Sequence, residues 1–163
     1  MGFVDHDQDA LGGVELRIYQ KKQLIFNQLS FRHQDMVKIG TVGVAAMKNR
    51  LEAARGLSDG AAKPLTKRYA IHKTRLGKGN RRNLRLTGRM LENFTLRTVT
   101  ESTAKASLTS RKERIKGWAN QKIEPWVVLS PKNQAAVREA SRRVLAEAKD
   151  RLVVERWLGG RQI

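Results

Sequence analysis

The sequence predicts an α+β fold, in which a small antiparallel β-sheet packs with a long helix in the N-terminal half and a long C-terminal helix. Two segments repeat apolar residues at steps of three and four, which indicates helices, and a segment between them alternates apolar and polar residues, which indicates strands. The chain has 163 residues and 40% of them are hydrophobic, enough for one domain with a core. We expect a single domain over residues 14–158, with a flexible arm over residues 1–13 and a tail over residues 159–163.

The N-terminal residues divide into an arm, a strand and an ambiguous segment. Residues 1–13 are small, polar and acidic and end in two glycines, which predicts a flexible arm. The residues from Val14 to Tyr19 alternate apolar and polar side chains, as in a short half-buried strand. The segment from Lys22 to Phe31 is compatible with either a short helix or a strand.

The first long helix is predicted over residues 34–56, where Gly56 is placed to end it. One face repeats small and apolar residues: Met36, Gly40, Gly43 or Val44, Met47, Leu51 and Ala54. The opposite face is mostly charged: Lys48, Arg50, Glu52 and Arg55. Gly40 and Gly43 each cost about 1 kcal/mol of helix propensity relative to alanine. We therefore expect both glycines to let a neighbouring backbone approach closely, in particular that of a second subunit.

Positive charge is concentrated in the second part of the chain. Residues 1–62 hold 8 basic and 7 acidic residues, whereas residues 63–163 hold the other 25 basic residues against 8 acidic ones. The stretch from Lys63 to Arg89 has ten basic residues and no acid, and its glycines and proline are typical of irregular structure. We expect an extended basic loop over residues 57–86 that faces an anionic partner. Its predicted partner-binding residues are Lys63, Lys67, Arg68, Lys73, Arg75, Lys78, Arg81 and Arg82.

A short helix and a hairpin are predicted after the basic loop. Thr87 is placed to cap one or two helical turns over residues 89–93. Residues 94–100 and 103–109 are predicted to form two strands joined by a short turn, an antiparallel hairpin with one buried and one solvated face. Residues 111–122 are basic and poorly periodic, which predicts an exposed excursion.

The domain is predicted to end with a short strand and the second long helix. Residues 126–129 are all apolar, as in a buried strand. The Ser130-Pro131 pair is typical of a helix start, and we expect this helix to run to about Trp157. Its predicted apolar face is Val137, Ala140, Val144, Ala148 and Leu152.

The sequence offers little for catalysis or for a cofactor. There is no cysteine, so disulfides, thiolate metal sites and cysteine nucleophiles are excluded. The histidines His6, His33 and His72 are scattered, and no pair of carboxylates is spaced for acid–base chemistry. The Gly-Lys-Gly run at residues 77–79 lacks the spacing of a phosphate-binding loop. We therefore predict no enzyme activity, no cofactor and no metal site, and no apolar run reaches membrane-spanning length.

The net charge of +18 makes an anionic partner the main functional expectation. Nucleic acid, an acidic protein surface and a membrane face all meet that description. Charge alone favours a basic nucleic-acid-binding protein of ribosomal or chromosomal type. Aromatic residues make up only 6% of the chain, which is low for base stacking, and we expect the three tryptophans to pack in the core or at interfaces.

Three motifs follow one another in a distinctive order. They are Ser58-Asp59-Gly60 with Lys63-Pro64-Leu65, Tyr69-Ala70 and Lys73; Leu86-Thr87-Gly88-Arg89-Met90-Leu91; and Pro125-Trp126-Val127-Val128-Leu129-Ser130-Pro131. In this order and spacing, over roughly residues 34–158, they resemble the neck and tail-completion proteins of tailed bacteriophages, the virion morphogenesis family. Many members carry an Ala-x-x-His-x-x-Gly-like stretch before the third motif, where this chain has Trp118-Ala119-Asn120-Gln121.

The resemblance implies a structural virion protein that is not an enzyme. It implies a ring, most often a hexamer, located at the neck of the virion, where it links the capsid connector to the tail after assembly in the host cytoplasm. The implied partners are further copies of the chain and adjacent neck, connector, tail-terminator or tail-tube proteins. Nonspecific contact with DNA in the channel is also implied, and contact with a membrane is not. The reading from charge alone, a nucleic-acid-binding protein of ribosomal or chromosomal type, remains the alternative.

Overall fold

The computed structural model of the chain describes residues 3–8, 14–19, 31–83 and 88–159, with residues 3–8, 14–19 and 152–159 described as backbone only. The architecture is α+β, as predicted. In chain order the elements are β1 (Phe3–Gln8), β2 (Val14–Tyr19), α1 (His33–Glu52), α2 (Lys67–Arg75), α3 (Arg89–Glu92), β3 (Phe94–Val99), β4 (Thr103–Leu108), α4 (Arg111–Ile123) and α5 (Pro131–Gly159). Most of the ambiguous Lys22–Phe31 segment, the predicted Thr87 cap and the tail after Gly159 lie outside the described residues.

The four strands form one antiparallel sheet in the order β1-β2-β4-β3. The predicted hairpin is confirmed as β3 and β4, which pair from Phe94 opposite Leu108 to Val99 opposite Ala104, with a bulge near Leu96. The strand predicted from Val14 is confirmed as β2, which pairs with β4. Alternate β4 residues are buried, so one face of the hairpin faces the core.

The N-terminal arm prediction is wrong for part of its length. Residues 3–8 form β1, which pairs along its whole length with β2, from Phe3 opposite Tyr19 to Gln8 opposite Val14. Composition predicted mobility here because the segment is polar and acidic. Backbone pairing in a sheet does not require apolar side chains on both strands, and β1 lies at the sheet edge, where polar residues are common. The rest of the predicted arm lies outside the described residues.

The first long helix begins where predicted and ends earlier. Its inner face is buried against β3 and β4. The helix α1 ends at Glu52, because Ala54 takes a left-handed conformation with φ of 54°.

Gly40 contacts the chain's own sheet rather than a second subunit. A Cβ at position 40 would lie 2.9 Å from both the Cβ of Ala104 and a methyl of Leu96. Gly43 is also buried within the subunit, so the predicted subunit contact at these glycines is wrong.

The two long helices pack on each other, and two ion pairs join them among the side chains that the structure describes. Arg151 of α5 donates to both carboxylate oxygens of Asp35 in α1, at 3.2 and 2.7 Å, and Asp35 is buried. Lys38 and Glu147 form the second pair at 2.6 Å, with both side chains about half exposed. The predicted face of α5 is buried at Val137, Val144 and Ala148.

Three segments differ from their predictions. The basic loop contains a nine-residue helix, α2, and the predicted excursion after β4 is the thirteen-residue helix α4. Residues 126–129 are buried as predicted but form no strand, because they cross the core as irregular backbone between α4 and α5. The indole N–H of Trp126 donates to the carbonyl of Gly117 at 2.8 Å, and the buried face of α4 meets the core there.

Candidate partner-binding site

Residues 64–83 form an excursion centred on α2, which we call the basic lobe. The predicted partner-binding residues fall in it, except Lys63, which directly precedes it. The structure divides these eight cations into two groups. Three of them hold the lobe in place, and the other five are exposed.

Lys73 closes the basic lobe on itself. Its side chain is only 2% exposed, and its ammonium donates to the carbonyl of Arg81 and to the side-chain oxygen of Asn83 on the returning segment. Burial lowers the pKa of Lys73. Because the ammonium is used inside the lobe, the prediction that Lys73 contacts a partner is wrong.

Arg82 and Lys63 join the two ends of the basic lobe and attach it to the domain. Arg82 donates from Nε to the carbonyl of Lys63 at 2.9 Å and from Nη2 to the carbonyl of Pro64 at 3.2 Å. Lys63 donates from Nζ to the carbonyl of Ile123 at 3.2 Å, and its backbone N–H donates to Glu124 at 3.1 Å. The lobe is therefore a folded feature anchored at the end of α4.

The other five predicted cations lie on the surface of the lobe, and within the described part of the chain their side-chain charges have no partner: Lys67, Arg68, Arg75, Lys78 and Arg81. Large apolar side chains are exposed between them. Tyr69, Ile71 and Leu76 are 40%, 46% and 51% exposed. His72 is exposed beside Tyr69, as expected for a surface imidazole. The surface therefore offers both positive charge and apolar area.

A carboxylate at the foot of the lobe joins two distant parts of the sequence. Asp59 accepts hydrogen bonds from the hydroxyl of Ser130 at 2.6 Å and from the backbone N–H of Lys132 at 3.0 Å. Burial raises its pKa, but these hydrogen bonds and the charges of Lys132 and Arg50 outweigh burial and lower the pKa below 3.8. Asp59, with φ of 63°, thus caps the N-terminus of α5 from a remote turn.

A cleft of about 640 Å³ lies between the C-terminal end of α1, the following turn and the returning segment of the lobe. Its charged lining residues are Arg55, Asp59, Lys63, Arg81 and Arg82. The rest of the lining is mostly small: Ala53, Ala54, Gly60, Ala61, Ala62 and Pro64. An isolated antiparallel bridge between Arg55 and Ala61 holds the turn that forms one wall.

Arg50 lies beside this cleft and was missed by the sequence analysis, which placed it on the solvent face of α1. It is 5% exposed, and Nη2 donates to the carbonyl of Trp126 at 2.7 Å. Its Nε and Nη1 have no partner among the described residues. Burial lowers the pKa of Arg50, and the charges of Asp59 and Glu124 oppose that shift. The signal was its spacing, since it follows buried Met47 by three positions.

A second exposed apolar group lies on α4. Trp118 is 49% exposed and therefore lies outside the core, and the ammonium of Lys122 lies 3.6 Å from the centre of its ring. Ile115 and Ile123 are also exposed there, at 62% and 51%.

In the described ranges no three His, Asp or Glu side chains are grouped closely enough to hold a metal ion. None of the described helices is both long enough and apolar enough to cross a bilayer. Comparison of the chain with protein-family models, with curated proteins and with solved structures finds no match.

Proposed function

We propose that this chain is a structural subunit of the bacteriophage neck, a tail-completion protein that joins with its own copies in a ring and links the capsid connector to the tail. The observation that supports this most directly is the contact of Asp59 with Ser130 and Lys132. Asp59 belongs to the first motif of the resemblance and Ser130 to the third. Two motifs separated by 71 positions in sequence therefore form one structural unit, so their co-occurrence has a physical reason.

The charge of the basic lobe supports an assembled state. Residues 57–83 contain one acid, Asp59, whose carboxylate is already engaged at the start of α5. In a ring, the exposed cations of the lobe would recur in every subunit and repel one another. An acidic surface on an adjacent neck or tail protein would offset them, and each subunit of a ring needs two different contact surfaces.

The exposed side chains of the lobe favour a protein partner over nucleic acid. Tyr69, Ile71 and Leu76 add apolar contact area, which contributes to protein interfaces and gains little against a phosphate backbone. The exposed cations still favour nucleic-acid binding as the second candidate. That candidate predicts tight binding of duplex DNA with a steep salt dependence.

The neck proposal is tested by inactivating the gene in the phage or prophage genome that encodes it. We expect filled heads and complete tails to accumulate separately in electron micrographs of the lysate, and purified wild-type protein added to that lysate to restore joined particles. Normal virions without the protein, or heads that fail to fill with DNA, would contradict the proposal.

A further inference from the structure

We propose that the cleft beside the basic lobe is a binding site for the carboxylates of an acidic segment of a partner protein. This inference rests on the proposed function and specifies which surface of the subunit receives the neighbouring neck or tail protein. It adds Arg55 and Arg50 to the candidate site, neither of which belongs to the basic segment of the sequence.

Two guanidinium groups in the lining are available to a ligand. Four cations line the cleft against one acid, Asp59, whose oxygens accept from Ser130 and Lys132. The side chains of Arg55 and Arg81, both exposed, have no partner among the described residues. An arginine fork matches a carboxylate in size and geometry and binds it with two parallel hydrogen bonds.

The buried Arg50 supplies an independent indication of an anionic ligand. It lines a small cavity of about 20 Å³, and this cavity shares Arg55, Ala62 and Arg82 with the lining of the cleft. Within the described structure Nε and Nη1 of Arg50 lack acceptors, although the side chain is nine-tenths buried. Burying a cation whose N–H donors have no acceptor costs free energy. A ligand acceptor bound beside the residues that line both the cleft and the small cavity would offset that cost.

The shape and lining of the cleft favour a peptide over nucleic acid. Its volume lies in the range of sites that enclose a few groups of a ligand, about 300–1,000 Å³. Alanine, glycine and proline make up most of the remaining lining, so the walls can pack against aliphatic peptide carbons while the arginines bind carboxylates. Duplex DNA would gain binding energy only from the charged side chains of the cleft and not from its apolar lining.

The test uses a short fluorescein-labelled peptide of alternating glutamate and alanine and measures fluorescence anisotropy with the full chain. We expect the wild-type chain to bind this peptide and not its glutamine counterpart. The double variant Arg55→Gln/Arg81→Gln should weaken binding by about tenfold or more, because two charge-assisted contacts are lost. The control Arg142→Gln/Lys149→Gln removes the same charge on the exposed surface of α5, away from the cleft and the basic lobe, and should weaken binding by less than about threefold.

Three results would overturn the cleft as a carboxylate site. They are no binding by the wild-type chain, equal weakening in both double variants, and duplex DNA whose binding depends on Arg55 and Arg81 more than peptide binding does. None of these results decides the neck proposal, which depends on whether heads and tails join. Conversely, a lysate that joins heads to tails without the protein leaves the peptide result standing.

Discussion

At the scale of single residues, the polar groups that stabilise this fold are buried where the sequence gives no local indication of it. Asp35 resembles any acid in the first turn of a helix. In the structure it is 1% exposed, accepts from the N–H of Arg32 at 3.0 Å, and pairs with Arg151, which lies 116 positions away. Lys73 is likewise buried within a run of exposed cations. Such roles depend on tertiary contacts, and no period in the sequence marks them.

Replacing Asp35 with asparagine should destabilise the chain by about 2–4 kcal/mol, because charge-assisted hydrogen bonds and part of a helix cap are weakened. The matched control is Glu147→Gln, which breaks the exposed pair between the same two helices and should cost less than about 1 kcal/mol. Urea unfolding followed by circular dichroism measures both. Equal losses in the two variants would show that the burial of Asp35 contributes nothing.

The same carboxylates predict how stability depends on pH. Burial raises the pKa of Asp35, but hydrogen bonds from Arg151 and Arg32 and the charges of Arg151 and Lys38 lower it overall, and the pKa of Asp59 is also lowered. Because the folded pKa values lie below the unfolded value, the stabilisation is complete above about pH 4 and is lost as the pH falls through the folded values. The melting temperature of the wild-type chain should fall as the pH drops below 4, and that of Asp35→Asn should fall less steeply. If the melting temperatures of the two proteins fall in parallel, Asp35 is not one of the groups responsible.

At the scale of secondary-structure elements, the sequence predicted the helices and strands whose apolar side chains face the core. The apolar faces of α1 and α5 and the alternate apolar residues of β4 are buried in that core, so the spacing of apolar residues in the sequence is enough to predict these elements. The helix α2 has no such signal, because its large apolar residues Tyr69 and Ile71 are exposed and its one buried side chain is Lys73. The helix α4 was missed for a related reason, since its fully buried residues are Glu113 and Gly117.

Lys73→Met should open the basic lobe without unfolding the domain. Methionine keeps the apolar stem of the lysine but loses the donors to Arg81 and Asn83. Amide hydrogen exchange in α2 should accelerate by about tenfold or more, because each of the two lost hydrogen bonds of the charged ammonium contributes about 1.5 kcal/mol or more, while exchange in β3 and β4 stays unchanged. Lys67→Met is the control, because Lys67 is exposed on the same helix. If amide exchange in α2 is unchanged in Lys73→Met, Lys73 does not hold the lobe closed.

At the scale of the whole molecule, the candidate site is assembled from residues that the sequence presents separately. The basic segment supplies Arg81, the end of α1 supplies Arg50, the turn after α1 supplies Arg55, and Asp59 joins that turn to the start of α5. The sequence indicated the positive charge but not the cleft, because the cleft depends on how the lobe returns to the domain. It also assigned Gly40 to a subunit contact, whereas the sheet of the same subunit fills that space.

Under the neck proposal, reversing four exposed lobe cations should leave the subunit folded and prevent heads from joining to tails. The four residues, each replaced by glutamate, are Lys67, Arg68, Arg75 and Lys78. Arg82 is left in place because it holds the lobe to the backbone of Lys63 and Pro64. The melting temperature should change by only a few degrees, since surface substitutions shift stability by about 0.5 kcal/mol each.

The control for this charge reversal carries the same number of changes on the exposed surfaces of α4 and α5, at Arg111, Lys112, Arg142 and Lys149. Added to a lysate that lacks the protein, the control should restore joined particles and the lobe variant should not. Equal activity of the two proteins would show that overall charge, and not the basic lobe, is what the assembly requires.

The buried amine of Lys73 also allows opening of the lobe to be detected by chemical modification. Acylating reagents must reach the nitrogen of a lysine, and that of Lys73 is shielded while the lobe is closed. Each opening of the lobe would therefore expose an amine that the closed lobe protects. Once acylated, Lys73 would have no charge, one donor at most and a bulkier end, so the lobe could not close again. A transient opening of the lobe would thus lead to a lasting covalent modification of one residue, Lys73.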